Sequence, residues 1–209
     1  LGVCDYTRRM APVKSRRDMY AEATRAALIE EATKQFVERG YANTSLDDVA
    51  KAANVTRGAV YHHFAGKQAL FIAVFNEQEQ QVIKRVEAVM QRHDDLWEAS
   101  LAGVEEFLDA CLEPVYSAIV WREAIGAIGY ATWMAYAEKY SLGLIRRGVD
   151  ALVAAGYFDS NNPEITARLV FHMLGGAGMT LANADDPAAL RPAVGATVRR
   201  MVFGLRVGE

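Results

Sequence analysis

Residues 44–70, TSLDDVAKAANVTRGAVYHHFAGKQAL, constrain the fold of this 209-residue chain more than any other stretch. Thr44 and Ser45 are favourable N-cap residues before a short helix, and Asn54 tolerates the left-handed backbone that a tight turn needs. Thr56 can cap a second short helix over the next seven residues. Two short helices joined by a tight turn form the helix-turn-helix that reads DNA.

The second short helix carries side chains that suit a DNA interface. Gly58 and Ala59 on its outward face allow close approach to DNA, including contact with a thymine methyl group. We expect Arg57 and His62 to reach base edges, because Arg pairs bidentately with guanine. Contacts to phosphate are expected from Thr44, Ser45, Tyr61 and Lys67.

The stretch resembles the DNA-binding domain of the TetR family of bacterial transcriptional regulators. The matching residues are Thr44-Ser45, Val49-Ala50, Ala53, Val55, Arg57-Gly58-Ala59, Tyr61-His62-His63-Phe64, Lys67 and Leu70. Asn54 departs from the family pattern, which usually has Gly there. The resemblance implies a repressor, or less commonly an activator, that binds a palindromic double-stranded DNA operator as a homodimer, responds to a small-molecule effector and carries no cofactor.

Helical periodicity predicts an all-α fold, since no strand-like alternation of useful length appears. We expect a flexible basic N-terminal arm over residues 1–17 and a three-helix helix-turn-helix DNA-binding domain, here called the head, over 18–66. Residues 67–209 form the body, a helical ligand-binding and dimerisation domain by resemblance. Met10 is the expected natural start, which would leave 1–9 as an upstream extension.

Apolar spacing places the individual helices. They are predicted over about 18–39, 46–53, 57–63, 67–91, 95–112, 114–120, 127–155, 163–184 and 187–205. Residues 121–129 look loosened because they contain two glycines. The helix over 67–91 should link head and body, and its buried stripe is expected to be Phe71, Val74, Phe75, Val82 and Val86.

Charge is distributed unevenly along the chain. Residues 1–67 carry 11 Lys and Arg against 8 Asp and Glu, whereas 68–209 carry 12 against 18. A basic front and an acidic rear suit a DNA-binding head on a body with another task. Cys4 and Cys111 are too isolated for a disulfide framework or a zinc site. We expect a cytoplasmic protein with no membrane span, because neither an 18-residue apolar run nor a signal peptide is visible.

Two motifs allow a second interpretation. Asp94-Asp95 could hold Mg²⁺ or a diphosphate, but a helix N-cap is the preferred explanation. The glycines at 175–178 could suggest a phosphate loop, yet such a loop needs a preceding strand, so close helix packing is preferred. No convergent set of nucleophile, base and oxyanion donors or of metal ligands appears, so we expect no enzyme, catalytic site or metal site.

The resemblance also implies a hydrophobic or amphipathic ligand in the body, of aromatic or acyl character. The expected lining residues are Phe107, Cys111, Trp121, Tyr130, Trp133, Met134, His172 and Met173. The expected dimer interface on the last two helices comprises Phe171, Leu174, Met179, Val198, Met201, Val202 and Leu205. Each of these residues could instead be plain core. A helical interaction protein, and a DNA-binding regulator without a small ligand, are the alternative functions.

Overall fold

The computed structural model describes residues 15–159 and 161–207, and the regular structure within these ranges is helical. Apart from an isolated bridge between Phe158 and Arg206, the described residues contain no β-structure, so the all-α prediction is confirmed. The predicted start at Met10 lies outside the described residues. The elements are α1 (Arg16–Asn43), α2 (Leu46–Ala52), α3 (Arg57–His63), α4 (Lys67–Met90), α5 (Leu96–Ala110), α6 (Pro114–Tyr116), π1 (Ser117–Glu123), α7 (Ala124–Ile128), α8 (Tyr130–Ala137), π2 (Glu138–Leu142), α9 (Gly143–Ala154), α10 (Pro163–Ala182) and α11 (Pro187–Phe203).

Helix α1 begins two residues before the predicted boundary of the head. Ser15 caps it, and the Ser15 hydroxyl accepts a hydrogen bond from the backbone N–H of Asp18. Arg16 and Arg17, which we assigned to the arm, therefore belong to this helix. The inner face of α1 follows the predicted spacing, because the buried apolar residues are Leu28, Ile29, Ala32 and Phe36.

The backbone turns at the predicted positions. Gly40 has a φ of 76° and interrupts α1, which explains why the regular part of that helix ends there. Asn54, between α2 and α3, has a φ of 55° and is the only non-glycine residue with positive φ in the described ranges. Asn is among the few side chains that adopt this conformation at low cost, so the departure from Gly leaves the turn intact.

Helix α4 extends from the head into the body, as predicted. Its expected apolar stripe is buried throughout, at Phe71, Val74, Phe75, Val82 and Val86. Near its start the ring of Phe71 packs edge-on against Phe36 of α1, with centroids 5.2 Å apart. Glu79 lies on the same buried face, although an acidic residue there was not part of the prediction.

The middle of the body differs from the prediction. Residues 121–129 are not loosened, because α6, π1 and α7 follow one another without a break as far as Ile128. Gly126 lies within α7, where one glycine costs only about 1 kcal/mol and packing overrides it. The break is Gly129, with a φ of 78°, and the next helical run therefore begins at Tyr130 rather than at 127.

Asp95 acts as an N-cap, which supports the preferred explanation of the Asp94-Asp95 pair. Its carboxylate accepts the backbone N–H of Glu98 at 2.8 Å, so this oxygen belongs to the start of α5. Among the described residues, no group of three or more His, Cys, Asp or Glu side chains could hold a metal ion.

Helix α10 packs closely against the indole ring of Trp121 in π1. A Cβ atom added at Gly178 would lie 2.5 Å from Cζ2 of Trp121, so the absence of a side chain permits this approach. Close packing therefore explains Gly178, whereas Cβ atoms at Gly175 and Gly176 would meet nothing within 4 Å.

By length and composition α10 could cross a membrane, with a mean hydropathy of 1.2 over 18 residues. This qualifies our expectation that no such segment exists. The indication is weak, because core helices of helical bundles satisfy the same criterion. In this fold α10 packs against α9, α11 and π1.

We expect Gly178→Ala to lower the free energy of unfolding by about 1–3 kcal/mol, because the added methyl group must displace a rigid indole ring. Gly126→Ala is the matched control, since its Cβ would meet nothing within 4 Å in an exposed helical position. That change should stabilise by up to about 1 kcal/mol. Urea denaturation measures both variants, and equal effects would contradict the packing role of Gly178.

Candidate DNA-binding face and ligand cavity

Helix α3 exposes four of the eight residues predicted to contact DNA. It buries Val60 against the rest of the head, so its opposite side is turned outward. The exposed residues on that side, called here the reading face, are Arg57, Gly58, Tyr61 and His62. A Cβ at Gly58 would have only the hydroxyl of Thr56 within 4 Å. Ala59, which we also expect on the outward face, is half-buried. The reading face is therefore open to close approach at Gly58.

The guanidinium group of Arg57 is oriented by two neighbours. Its Nε lies 3.2 Å from a carboxylate oxygen of Asp47, and its central carbon lies 5.5 Å from the ring centroid of Tyr61. The Arg57 side chain nevertheless remains 66% exposed. Asp47 and Tyr61 thus restrict its conformations while leaving donors available for an acceptor on DNA.

A concave surface of about 480 Å³ lies between the start of α2, helix α3 and the start of α4. It brings together five of the eight side chains predicted to contact DNA. These are Thr44, Ser45, Arg57, Tyr61 and Lys67. Ser45 also caps α2, because its hydroxyl accepts the backbone N–H of Asp48 at 3.1 Å.

The structure argues against the predicted phosphate contact of the Thr44 hydroxyl. Thr44 is 2% exposed, and its hydroxyl donates toward the carbonyl oxygens of Gly40 at 2.9 Å and Gln35 at 3.2 Å. A hydroxyl has one proton, and here that proton is used within the head. Thr44 therefore ties the end of α1 to the start of α2.

Lys67 has a structural role besides the one predicted. Its ammonium donates to the carbonyl oxygens of Tyr41 at 2.7 Å and Ala42 at 3.2 Å, and it lies 4.4 Å from the ring centroid of Tyr41. An ammonium has three donors, so one stays available for phosphate. The predicted phosphate contact remains compatible with this geometry.

His63, whose role the sequence left open, is half-buried beside the reading face. Burial lowers the pKa of its imidazole, and the neighbouring charges of His62 and Arg25 lower it further. A neutral imidazole contributes little attraction to phosphate, so packing within the head is the better assignment.

Glu123, at the end of π1, connects the body to the head. Its carboxylate accepts the backbone N–H of Tyr41 at 2.7 Å. Nearby, the start of α4 is tied to α7, because the Gln68 amide donates to the carbonyl of Ala127 at 3.2 Å. Trp121, two residues before Glu123, lines the cavity described next.

An apolar cavity of about 140 Å³, called here the body cavity, lies among α4, α5, π1, α9 and α10. Three of the eight predicted ligand contacts line it, namely Phe107, Trp121 and Trp133.

The other five predicted ligand contacts do not line the body cavity. Cys111 is buried and Met134 partly buried in the core, but neither lines the cavity, and Tyr130 is 59% exposed. His172 and Met173 line a different surface, which lies between α10 and α11. Successive side chains in a helix point about 100° apart, so neighbours in the sequence need not reach the same cavity.

Helices α10 and α11 enclose a groove of about 540 Å³, called here the α10/α11 groove. Its lining residues are His172, Met173, Gly176, Ala177, Thr180, Leu190, Ala193, Val194, Thr197, Val198 and Met201. Of the predicted dimer contacts, Met201 lies here and is 55% exposed, and Val198 lies here but is buried.

Three predicted dimer contacts face the opposite way. Phe171, Leu174 and Val202 are buried and line the body cavity, so a partner subunit could not reach them in this conformation. Met179 is half-buried and Leu205 is 36% exposed, and both lie outside the groove. The periodicity identified apolar positions correctly but could not determine which side of α10 faced the cavity.

Glu79 is the one charged side chain that lines the body cavity within the described ranges. It is 3% exposed, and its carboxylate accepts hydrogen bonds from Tyr116 at 3.0 Å and from Ser141 at 3.5 Å. Burial raises the pKa of Glu79 to about 7, although these hydrogen bonds oppose the shift. Its position was readable in the sequence, because Glu79 interrupts the apolar stripe four residues after Phe75 and three before Val82.

Two family models match the chain in succession. One, described as bacterial regulatory proteins of the tetR family, matches residues 28–74, which include the helix-turn-helix. The other, described as a Tetracyclin repressor-like C-terminal domain, matches residues 97–205, which include most of the cavity wall.

Solved and curated relatives agree with these matches. A TetR-family transcriptional regulator from Pectobacterium atrosepticum is 32% identical, with a TM-score of 0.82 over 93% of this chain and 99% of that one. The transposon Tn10 TetC protein of Escherichia coli is 32% identical over 136 residues, or 64% of this chain and 65% of that protein. The probable acrEF/envCD operon repressor of Escherichia coli K12 is 51% identical over 55 residues, which are 26% of this chain and 25% of that protein. The chain thus matches less than two thirds of the length of either curated relative.

We expect Glu79→Gln to flatten the pH dependence of stability. The folded pKa of about 7 exceeds the ordinary 4.5, so the folded state binds this proton more tightly than the unfolded state. Wild-type stability should therefore fall as pH rises from about 4.5 to about 7, by at most about 1.4 kcal/mol per pH unit. Urea denaturation across this range measures the slope.

The matched control is Glu77→Gln, which neutralises an exposed acid on the same helix. It should follow the wild-type pH dependence, because Glu77 remains in water. If Glu79→Gln and wild type lost stability in parallel, Glu79 would not be the group that titrates.

Proposed function

Because this chain belongs to the TetR family of bacterial transcriptional regulators, a DNA-binding and non-enzymatic family, we propose that it is a ligand-released repressor. It binds a palindromic operator as a homodimer in the cytoplasm. A small hydrophobic or amphipathic molecule in the body cavity releases it. The observation that carries this proposal is the exposed reading face of α3 on a helix-turn-helix.

Direct contact with bases is assigned to Arg57 and His62 at the two ends of the reading face. Arg57 can pair bidentately with guanine once DNA replaces Asp47 as its partner. Gly58 lets the backbone of α3 approach the major groove, and Ser45, Tyr61 and Lys67 are placed around it to hold phosphates. Phosphate contacts fix the register, and the base contacts read sequence.

The α10/α11 groove is the proposed dimer interface. Leu169 and Met201, on α10 and α11 respectively, expose 64% and 55% of their surface in the single chain, which favours burial against a partner. Gly176 and Thr180 are small and exposed on α10, so another helix could approach closely. A two-fold dimer places two reading faces on half-sites about 34–36 Å apart.

Ligand binding is proposed to act on the head through π1. Trp121 contacts the cavity, and Glu123 in the same segment holds the backbone of Tyr41. A ligand that favours a different position of Trp121 therefore also favours a different position of the head. The ligand can lower DNA affinity only by as much as it binds the DNA-incompetent position of the head more tightly than the DNA-competent one. A shift of a few ångströms would break the half-site spacing.

Fluorescence anisotropy on the DNA that flanks the protein's own gene tests this function. We expect tight binding at about 10⁻⁸–10⁻¹¹ M, with affinity falling steeply as salt increases. Random DNA of equal length is the control. Binding no tighter than to random DNA, on both the flanking DNA and a genome-derived operator selection, would refute the repressor assignment.

Arg57→Ala and Lys67→Ala should weaken DNA binding in different ways. Arg57→Ala should lower the affinity for the operator about ten- to hundredfold and the affinity for random DNA only a little, because a base contact is removed. Lys67→Ala should weaken both DNAs and reduce the salt slope by about 1. Far-ultraviolet circular dichroism controls for folding, since Lys67 also holds Tyr41. Equal loss of specificity in both variants would contradict this division of roles.

Gly176→Arg should give a monomer that binds the operator weakly. A Cβ at Gly176 meets nothing within 4 Å, so the arginine fits the folded chain but occupies the proposed interface. Gly126→Arg is the matched control, because Gly126 is also helical, exposed and open. Light scattering after size-exclusion chromatography gives the mass. A dimer that persists in Gly176→Arg would place the interface elsewhere.

A further inference from the structure

The body cavity contains an acid and no base. Its wall is formed mainly by aliphatic and aromatic side chains, and no Lys, Arg or His lines it within the described ranges. Glu79 is nine-tenths buried or more and has two hydroxyl partners, Tyr116 and Ser141. A carboxylate has about four acceptor positions, so two remain for another donor.

We propose that the body cavity selects a small organic cation, a hydrophobic amine whose ammonium group pairs with the carboxylate of Glu79. This inference rests on the proposed ligand-responsive function and narrows the ligand class. The apolar part of the amine lies among Phe107, Trp121 and Trp133. The aromatic faces attract a cation as well as an apolar group.

The polarity of the cavity excludes a free carboxylate as the preferred ligand group. A buried anion next to ionised Glu79 would meet like charge, and the described cavity wall offers no cation to neutralise either group. A neutral alcohol would satisfy one acceptor of Glu79 but leave its charge unpaired. An ammonium supplies both donors and the opposite charge.

Without a ligand, the buried carboxylate is held partly in its protonated form. Burial raises the pKa of Glu79 to about 7, and Cys111 and Tyr116, which face it from the end of α5 and from α6, have raised pKa values and stay uncharged. Ser141 of π2 does not ionise, and Arg85 of α4 lies near Tyr116. A bound ammonium takes the place of the proton, so binding near pH 7 releases the fraction of a proton that Glu79 carries there, about half.

Three probes of one shape test the charge preference: 4-phenylbutylamine, 4-phenylbutanol and 4-phenylbutyrate. Fluorescence of Trp121 and Trp133 reports binding, because both indoles line the cavity. We expect the amine to bind wild type about tenfold or more tightly than the alcohol. Glu79→Gln should remove this preference and leave the alcohol nearly unchanged, whereas Glu77→Gln should behave as wild type.

Titration calorimetry in two buffers of different ionisation enthalpy adds an independent readout. Wild type near pH 7 should release about half a proton for each amine bound, and Glu79→Gln should release none. The proposal is overturned if amine and alcohol bind equally, if the acid binds most tightly, if none of the probes binds, or if Glu79→Gln keeps the preference.

DNA binding, measured separately by anisotropy, distinguishes a failure of the proposed ligand class from a failure of the proposed repressor function. If the operator is bound but the amine has no preference, only the ligand class is wrong. If no DNA is bound specifically, the proposed function fails whatever the amine does.

Discussion

The peptide backbone at Tyr41 is held between two opposite charges, and the relation of head to body depends on it. The Tyr41 N–H donates to Glu123 and its carbonyl accepts from Lys67, each at 2.7 Å. Charge-assisted hydrogen bonds of this kind are about twice as strong as neutral ones. Gly40 makes the arrangement possible, because its φ of 76° is strained for other residues and a Cβ there would lie 3.4 Å from the Glu123 carboxylate. Helix α1, segment π1 and the start of α4 therefore meet at one residue, Tyr41.

Lys67 has two tasks at this meeting point, and its three ammonium protons are divided between them. It fixes the carbonyls at the end of α1, and it borders the concave surface where phosphate is expected. The head and the body are joined at Tyr41 by direct contacts with Glu123 and Lys67.

Local chemistry explains why the head could be predicted from sequence and much of the body could not. Caps at Ser45 and Thr56 and the positive φ of Asn54 depend on a few neighbouring residues, so the bounds of α3 follow from the chain itself. The continuous run through π1 depends on tertiary packing, which overrides the glycine at 126. Thr44 illustrates the same limit, since this good capping residue is instead a buried link, with the carbonyls of Gln35 and Gly40 within reach of its hydroxyl.

Glu79 violates the apolar pattern of α4 at a cost to stability. Water could solvate this carboxylate only if the cavity opened, and its two hydroxyl partners do not neutralise its charge. Replacing it with an apolar residue of similar size would remove that cost, so a structural role alone does not account for it. The same helix carries Lys67 at its start, three turns before Glu79. One helix, α4, therefore carries both the buried acid of the cavity and the lysine that holds the carbonyl of Tyr41.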